Sequence, residues 1–159
     1  MNILKLELTH FGKFHLKTIT FTSGLNIVYG KNEAGKSTIH AFVRSMLFGI
    51  QDTEEGNERY SHYLPWETPH DFCGRMWIKK DNKVYRIERN FLRPQPTVRV
   101  FDDETGESLQ PAKQHLRQIL SGLTETSYLN TICIEQLKSA TDPQLAKELE
   151  DMAVNASQS

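Results

Sequence analysis

Residues 30 to 37 read Gly30-Lys31-Asn32-Glu33-Ala34-Gly35-Lys36-Ser37. This is a glycine, four free positions and then Gly-Lys-Ser, the spacing of a phosphate-binding P-loop. No other stretch restricts the fold as much, because the motif works only where a buried strand runs into a tight loop that opens a helix. A phosphate chain needs several backbone N–H groups converging on it, and the glycines let the backbone curl close with no side chain in the way. The positive end of the helix adds its partial charge. The flanks meet these demands. Leu25-Asn26-Ile27-Val28-Tyr29 is a short apolar run suited to a buried strand, and Thr38 to Phe48 reads as a helix beginning near Lys36. Ile39, Phe42, Val43, Met46 and Leu47 share one face of that helix, and Gly49 is available to cap it. In such a loop Lys36 reaches the β and γ phosphates and the Ser37 hydroxyl takes one Mg²⁺ position.

Size and charge bound what this motif can belong to. A chain of 159 residues is one ordinary domain with room for a real core. Charged residues make up 25% and nearly cancel to a net charge of -1, so no global field draws the protein to nucleic acid or an anionic membrane, and any such attraction is local. The two cysteines, Cys73 and Cys133, lie far apart without CxxC spacing and read as buried thiols of a reducing compartment. Lys5, Glu7 and Lys13 interrupt the N-terminal apolar residues, and no run is long enough to span a bilayer, so the expectation is a soluble, cytoplasmic protein.

In chain order, Leu4, Leu6 and Leu8 alternate with Lys5 and Glu7, the mark of a half-buried strand, and Thr9 to Lys13 is expected to turn. Ile19 and Phe21 mark a second strand, broken at Ser23-Gly24 before the strand that feeds the P-loop. From Gln51 to Asp71 polar and acidic residues interleave with Tyr60, Tyr63, Pro65, Trp66 and Pro69, which reads as a long loop. Its aromatics are expected to pin it to the domain. The alternative, stacking on an adenine or an unpaired base, is opposed by Asp52, Glu54, Glu55, Glu58 and Glu67, which repel phosphate. Met76 and Ile78, then Tyr85 and Ile87, alternate on either side of Lys80-Asp81-Asn82-Lys83, a hairpin. A strand from Thr97 to Phe101 turns at Asp103-Glu104-Thr105-Gly106. A helix from about Pro111 carries Leu116, Ile119, Leu120 and Leu123, and another begins after Asp142-Pro143 with Leu145, Leu149 and Met152 along one side.

Several of these segments together resemble a known family. They are His10-Phe11-Gly12-Lys13-Phe14, the approach Gly24-Leu25-Asn26-Ile27-Val28-Tyr29-Gly30, the form Asn32-Glu33-Ala34-Gly35-Lys36-Ser37-Thr38, Met46-Leu47-Phe48-Gly49, and Lys83-Val84-Tyr85-Arg86-Ile87-Glu88-Arg89. Over nearly its whole length the chain resembles the ATPase heads of SMC-like proteins, most closely their bacterial YhaN-like and SbcC-like branch. The resemblance implies an α/β fold of the P-loop NTPase type, specifically the N-terminal lobe of an ABC/SMC head with an added antiparallel sheet. Residues 1–141 would form the lobe, and 142–159 a helix leading into a coiled coil. The implied cofactors are ATP and Mg²⁺. Gly30, Asn32, Glu33, Ala34 and Gly35 would supply the cradle, Lys36 the catalytic cation, Thr38 a bond to the α phosphate, and Lys13 an approach to the nucleotide where relatives often carry arginine. Gln136, which by itself reads as a surface residue, would join Ser37 in the metal and water shell.

The same resemblance assigns the signature motif and Walker B carboxylates to a C-terminal lobe, so the chain is expected to hydrolyse ATP only when so completed. Implied partners are that lobe or a second head in an ATP-dependent dimer, duplex DNA, and a metallophosphatase-type nuclease subunit, in DNA processing or repair. A nucleotide-dependent assembly module without catalysis and a small P-loop kinase are the alternatives. Val98-Arg99-Val100-Phe101-Asp102-Asp103 imitates a Walker B strand, but Arg99 in its middle suits a one-sided antiparallel strand entering a turn. Leu120-Ser121-Gly122-Leu123 imitates a signature motif and reads more simply as a helix end. The basic set Lys79, Lys80, Lys83, Arg86, Arg89 and Arg93 reads as a solvated hairpin face, with DNA contact as its functional alternative.

Overall fold

A computed structural model of the chain describes residues 1–21 and 33–130, and the side chains of all of these except 33–37 and 128–130. The strand expected at 25–29, Gln136 and the expected helix after Pro143 lie outside the described residues. The N-terminal alternation forms strand β1, Asn2–Phe11, whose pairing with β3, Cys73–Lys80, slips register between Ile3 and Lys5 and again between Glu7 and His10. Each slip re-phases a pattern that otherwise alternates strictly. Ile3, Leu6, Leu8 and Phe11 therefore all join one core, while Leu4 is only half-buried.

Strand β2, Phe14–Thr20, pairs with β1 up to Phe11↔Phe14. The expected turn over Thr9 to Lys13 thus shrinks to Gly12-Lys13, because His10 and Phe11 stay in the ladder. Strands β3 and β4, Lys83–Asn90, close at Asp81-Asn82, both with positive φ, as a two-residue hairpin turn requires. Strand β5, Thr97–Asp102, and the short β6, Ser108–Leu109, complete an antiparallel sheet of order β2-β1-β3-β4-β5-β6.

One cross-strand row, Ile19–Leu6–Met76–Ile87–Val100–Leu109, runs the full width of this sheet. Helix α1, Glu33–Phe48, packs on β1, β3 and β4 over this core through Ile39, Phe42, Val43, Met46 and Leu47, all buried as their spacing predicts. Each such side chain contributes about 1.5–3 kcal/mol of burial. Helix α3, Ala112–Leu120, rests on β5 and buries Leu116 and Ile119, with Pro111 at its N-cap and Ser121 and Gly122 ending it in left-handed conformations. The 120–123 stretch is accordingly a helix end.

The stretch 51–71 differs from its reading as a loop. Glu54–Tyr63 is a helix, α2. Thr53 caps it by accepting the Gly56 N–H at 3.0 Å, and Glu54 and Glu55 lie in its first turn, where acids are favoured. A last short helix, α4, spans Glu125–Asn130. No helix among the described residues is long and apolar enough to cross a membrane.

Candidate nucleotide-binding site

Helix α1 starts at Glu33, inside the motif and earlier than the expected start near Lys36. Glutamate and alanine are good helix formers, and an acid is stabilised in a first turn. The end of α1 that carries the Gly35-Lys36-Ser37 backbone is therefore an N-terminus, with N–H groups that have no intrahelical partner and a positive dipole end. Gly30, Lys31 and Asn32, the side chains of Glu33, Ala34, Lys36 and Ser37, and all of Gln136 lie outside the described residues.

The turn between β1 and β2 closes on this end of α1. A Cβ at Gly12 would stand 3.3 Å from Thr38 Cγ2 and 3.3 Å from Tyr63 Cδ1, and Gly12 has φ +61°. Its N–H also donates to the Tyr63 carbonyl at 2.6 Å. The position thus requires glycine both for backbone angle and for close approach. Thr38 is buried, and Lys13, next in the turn, is exposed. Two expected site residues, Lys13 and Thr38, are thereby brought to one corner. Phe11 behind the turn locks it in place, with ring centroids 5.1 Å from Phe42, 5.2 Å from Tyr63 and 5.3 Å from Phe72.

Further along α1 lies a cluster that sequence reading passed over. Arg44 binds Glu125, and Glu55 at 3.2 Å; Arg59 lies 3.7 Å from both Glu55 and Glu125 and donates to the Gly49 carbonyl at 3.2 Å. The cluster joins α1, α2 and α4. Burial, and then the charges of Arg44 and Arg59, hold the His40 imidazole down from 6.5 to about 4. Arg59 is buried although it sits in a polar stretch, so no apolar stripe signalled it.

The loop aromatics divide. Tyr60 and Tyr63 pin their segment, with Tyr60 5.2 Å from the Phe72 ring and Tyr63 stacked on Phe11. Trp66 does not, being 80% exposed. The Walker B imitation resolves as expected: Asp102 accepts the N–H groups of Glu104 and Thr105 at 2.9 and 3.3 Å, shaping a turn, and Asp103 binds Arg86 at 3.3 Å and the Trp77 indole N–H at 3.2 Å.

The basic set does not make one face. Alternation puts Arg89 on the inner side of the sheet with Ile87, where it donates to the Met46 and Leu47 carbonyls at 2.6 and 3.4 Å, and burial lowers its pKa to about 10. Lys80 donates to the Gln118 and Ile119 carbonyls and to Ser121, and Arg93 lies over the Tyr60 ring at 4.4 Å. Lys79 and Lys83 alone of the set have no such partner among the described residues. Nor do the described residues hold a group of three or more His, Cys, Asp or Glu placed to take a metal. A hard cation here would depend on the motif hydroxyl and on phosphate oxygens.

Comparison with known proteins follows the same lines. The chain is 41% identical over 56 residues, 35% of its length, to the Uncharacterized protein YhaN of Bacillus subtilis (strain 168). It is 27% identical over 146 residues, 86% of its length, to the DNA double-strand break repair Rad50 ATPase of Thermococcus kodakarensis. These matches cover 6% and 15% of the two relatives, so the chain corresponds to a small part of each. A family model described as an AAA domain matches residues 1–151. With these relatives it supports the N-terminal region of an SMC-like ATPase. The antiparallel sheet and its helices are consistent with a P-loop NTPase-like α/β fold, and the chain belongs to the AAA domain family.

Proposed function

We propose that the chain is the ATP- and Mg²⁺-binding N-terminal lobe of an SMC-like ATPase of the ABC/SMC head type, acting in DNA processing or repair. The observation that carries this reading is the contact of Gly12 with Thr38, two residues along α1 from Lys36. It sets the turn that contains the exposed Lys13 against α1 two residues past Lys36, which supports a role for that turn beside the phosphates. The printed name of the Thermococcus relative, a DNA double-strand break repair ATPase, supports the functional class.

In this reading the backbone of Gly30 and of Asn32 through Gly35 cradles the phosphates, Lys36 holds the β and γ groups, and Thr38 bonds the α group. Lys13 adds charge from the facing turn, and Ser37 and Gln136 are the groups that would hold the metal. Bound Mg²⁺ supplies charge neutralisation at the phosphate oxygens. Hydrolysis further needs a carboxylate beside the metal and a group that orients water. Asp102 and Asp103 are already engaged in a turn and an ion pair, so those groups would come from a C-terminal lobe or a second head. Duplex DNA and a metallophosphatase-type nuclease subunit are the further partners expected.

The test is calorimetric titration of MgATP into the wild-type chain and Lys36→Ala, with circular dichroism to establish that both are folded. Binding that the substitution removes is the expected result. Equal affinities would end the assignment of residues 30–37 to phosphate.

A further inference from the structure

The C-terminal end of α1 meets β4, β5 and α3 around a recess of about 510 Å³. Counted from Lys36 at 1.5 Å per residue, Phe48 in its wall lies about 18 Å along the helix, well away from the phosphate motif. Four of the lining residues are cations, Arg89, Arg93, Lys113 and Arg117, and none is an aspartate or glutamate. The ion pairs among the described residues belong to Arg44, Arg59, Arg75 and Arg86, not to any of these four. Lys113 and Arg117 stand four apart on α3, on the face of Leu116 and Leu120, where like charges repel each other. Arg89 is largely buried, with its Nε and Nη2 on the Met46 and Leu47 carbonyls. Those carbonyls offer only the partial negative charge of a helix end against a full guanidinium charge. Nη1 donates to neither of them. Gly49, also in the lining, keeps that atom clear, since a Cβ there would stand 3.2 Å from it. Around the cations the wall is apolar, and Phe48, Ile50, Val98 and Leu120 in it are only half-buried.

We propose that this recess binds a small organic anion, an apolar body that carries a carboxylate. The two carboxylate oxygens match guanidinium donors and accept from Arg89 Nη1 and from Lys113 and Arg117. A full negative charge there balances the Arg89 guanidinium and relieves the repulsion between Lys113 and Arg117. The body of the ligand covers the half-buried apolar wall, and the volume suits a small molecule. Both halves of the ligand are needed: a bare anion leaves the wall wet, and a neutral hydrocarbon leaves the cations without a counter-charge. The site lies at the opposite end of α1 from the motif and does not depend on the nucleotide-binding function above.

The experiment titrates three probes into the full chain: 2-naphthoate, its neutral counterpart 2-naphthalenemethanol, and acetate, which has the charge and no body. Calorimetry gives the affinities, and amide chemical shifts give the place. The expected result is binding of naphthoate with shifts at residues 47–51, 89–98 and 113–120, and affinities for the other two at least about tenfold weaker. Lys113→Gln/Arg117→Gln should weaken naphthoate by about tenfold. Lys79→Gln/Lys83→Gln removes two cations outside the recess and should change nothing. All four side chains are exposed, so both double variants should stay folded. Saturating MgATP should not displace the naphthoate. Failure of wild type to bind naphthoate overturns the proposal, and so does equal binding of the neutral alcohol, which would leave an apolar hole with no anion specificity. Equal losses in the two double variants would mean diffuse charge attraction, and displacement by MgATP would put the probe in the phosphate site; either result also overturns it.

Discussion

Gly74 is the position at which one methyl group should do most harm. It lies on β3 opposite Arg89, on the inner face, and a Cβ there would stand 2.3 and 2.4 Å from Phe42 Cε1 and Cζ and 3.0 Å from the Glu7 carbonyl oxygen. Carbon atoms in contact sit about 3.5–4.0 Å apart, so each ring atom would have to retreat by more than an ångström. Phe42 has no room to do so, since it is fully buried and edge-on to Phe11 at 5.1 Å. The displacement must pass to α1 as a whole or to the β1–β3 pairing. Overpacking of this kind costs about 1–3 kcal/mol, and the stiffer unfolded chain returns about 0.4–1 kcal/mol. Gly74→Ala should therefore lose about 1.3 kcal/mol net, which in a domain of this size lowers the melting temperature by roughly 3–5 °C. Because the displaced element carries Lys36, MgATP affinity should fall as well. Trimming the obstacle in Gly74→Ala/Phe42→Leu should return part of the loss, a non-additivity that only direct contact gives. The assay is thermal and urea unfolding of both single variants and the double. A neutral Gly74→Ala, or a double variant whose losses simply add, would mean that the close approach of β3 to Phe42 is not what holds α1.

Arg89→Glu should prevent folding or cost about 3–5 kcal/mol, because it sets a buried carboxylate against the Met46 and Leu47 carbonyls; Lys83→Glu, exposed at the start of the same strand, should melt close to wild type, and similar melting of the two would refute the buried role. His40 is held at about 4 in the folded protein against 6.5 unfolded, so the unfolded chain binds more protons between those values. Stability should be full above pH 6.5, fall by about 3 kcal/mol at most on acidification toward pH 4, and flatten across that window in His40→Gln; denaturant titrations at stepped pH would show it, and an unchanged slope in the variant would count against it. The chain alone should release phosphate from ATP at background rate, since absence of even one transition-state group typically costs about a hundredfold. Asp102→Asn should leave that rate unchanged, and turnover that this substitution abolished would put a Walker B carboxylate at 102.

Much of this was legible in the sequence because it depends on local chemistry. The α1 stripe, the Asp81-Asn82 turn and the one-sided strand around Arg99 each follow from spacing or turn residues, and each is found where expected. What escaped depends on tertiary context. Two register slips in β1 bring Ile3 and Phe11 into the core and half-release Leu4, and no alternation count anticipates a bulge. Helix α2 was missed because its inward positions, Gly56, Arg59, Tyr60 and Tyr63, are a glycine, a cation and two tyrosines at helical spacing rather than an aliphatic stripe; Thr53 followed by Glu54-Glu55 was the available sign. Arg89 looked like surface charge until its shared parity with Ile87 turned it inward. At the candidate site, Lys13 owed its role to family resemblance, and only the packing of Gly12 on Thr38 brings it to the helix.

The two ends of α1 are held differently. At its C-terminus Gly49 turns back with its N–H on the Ser45 carbonyl at 2.8 Å, while Arg89 and Arg59 grip the carbonyls of residues 46, 47 and 49. A rod clamped at one end cannot slide along its axis and can only pivot about the clamp. A push delivered at the Lys36 end would therefore emerge as a tilt about the Met46–Gly49 fulcrum. Two residues from that fulcrum sits Arg44, whose grip on Glu125 would carry the tilt into α4.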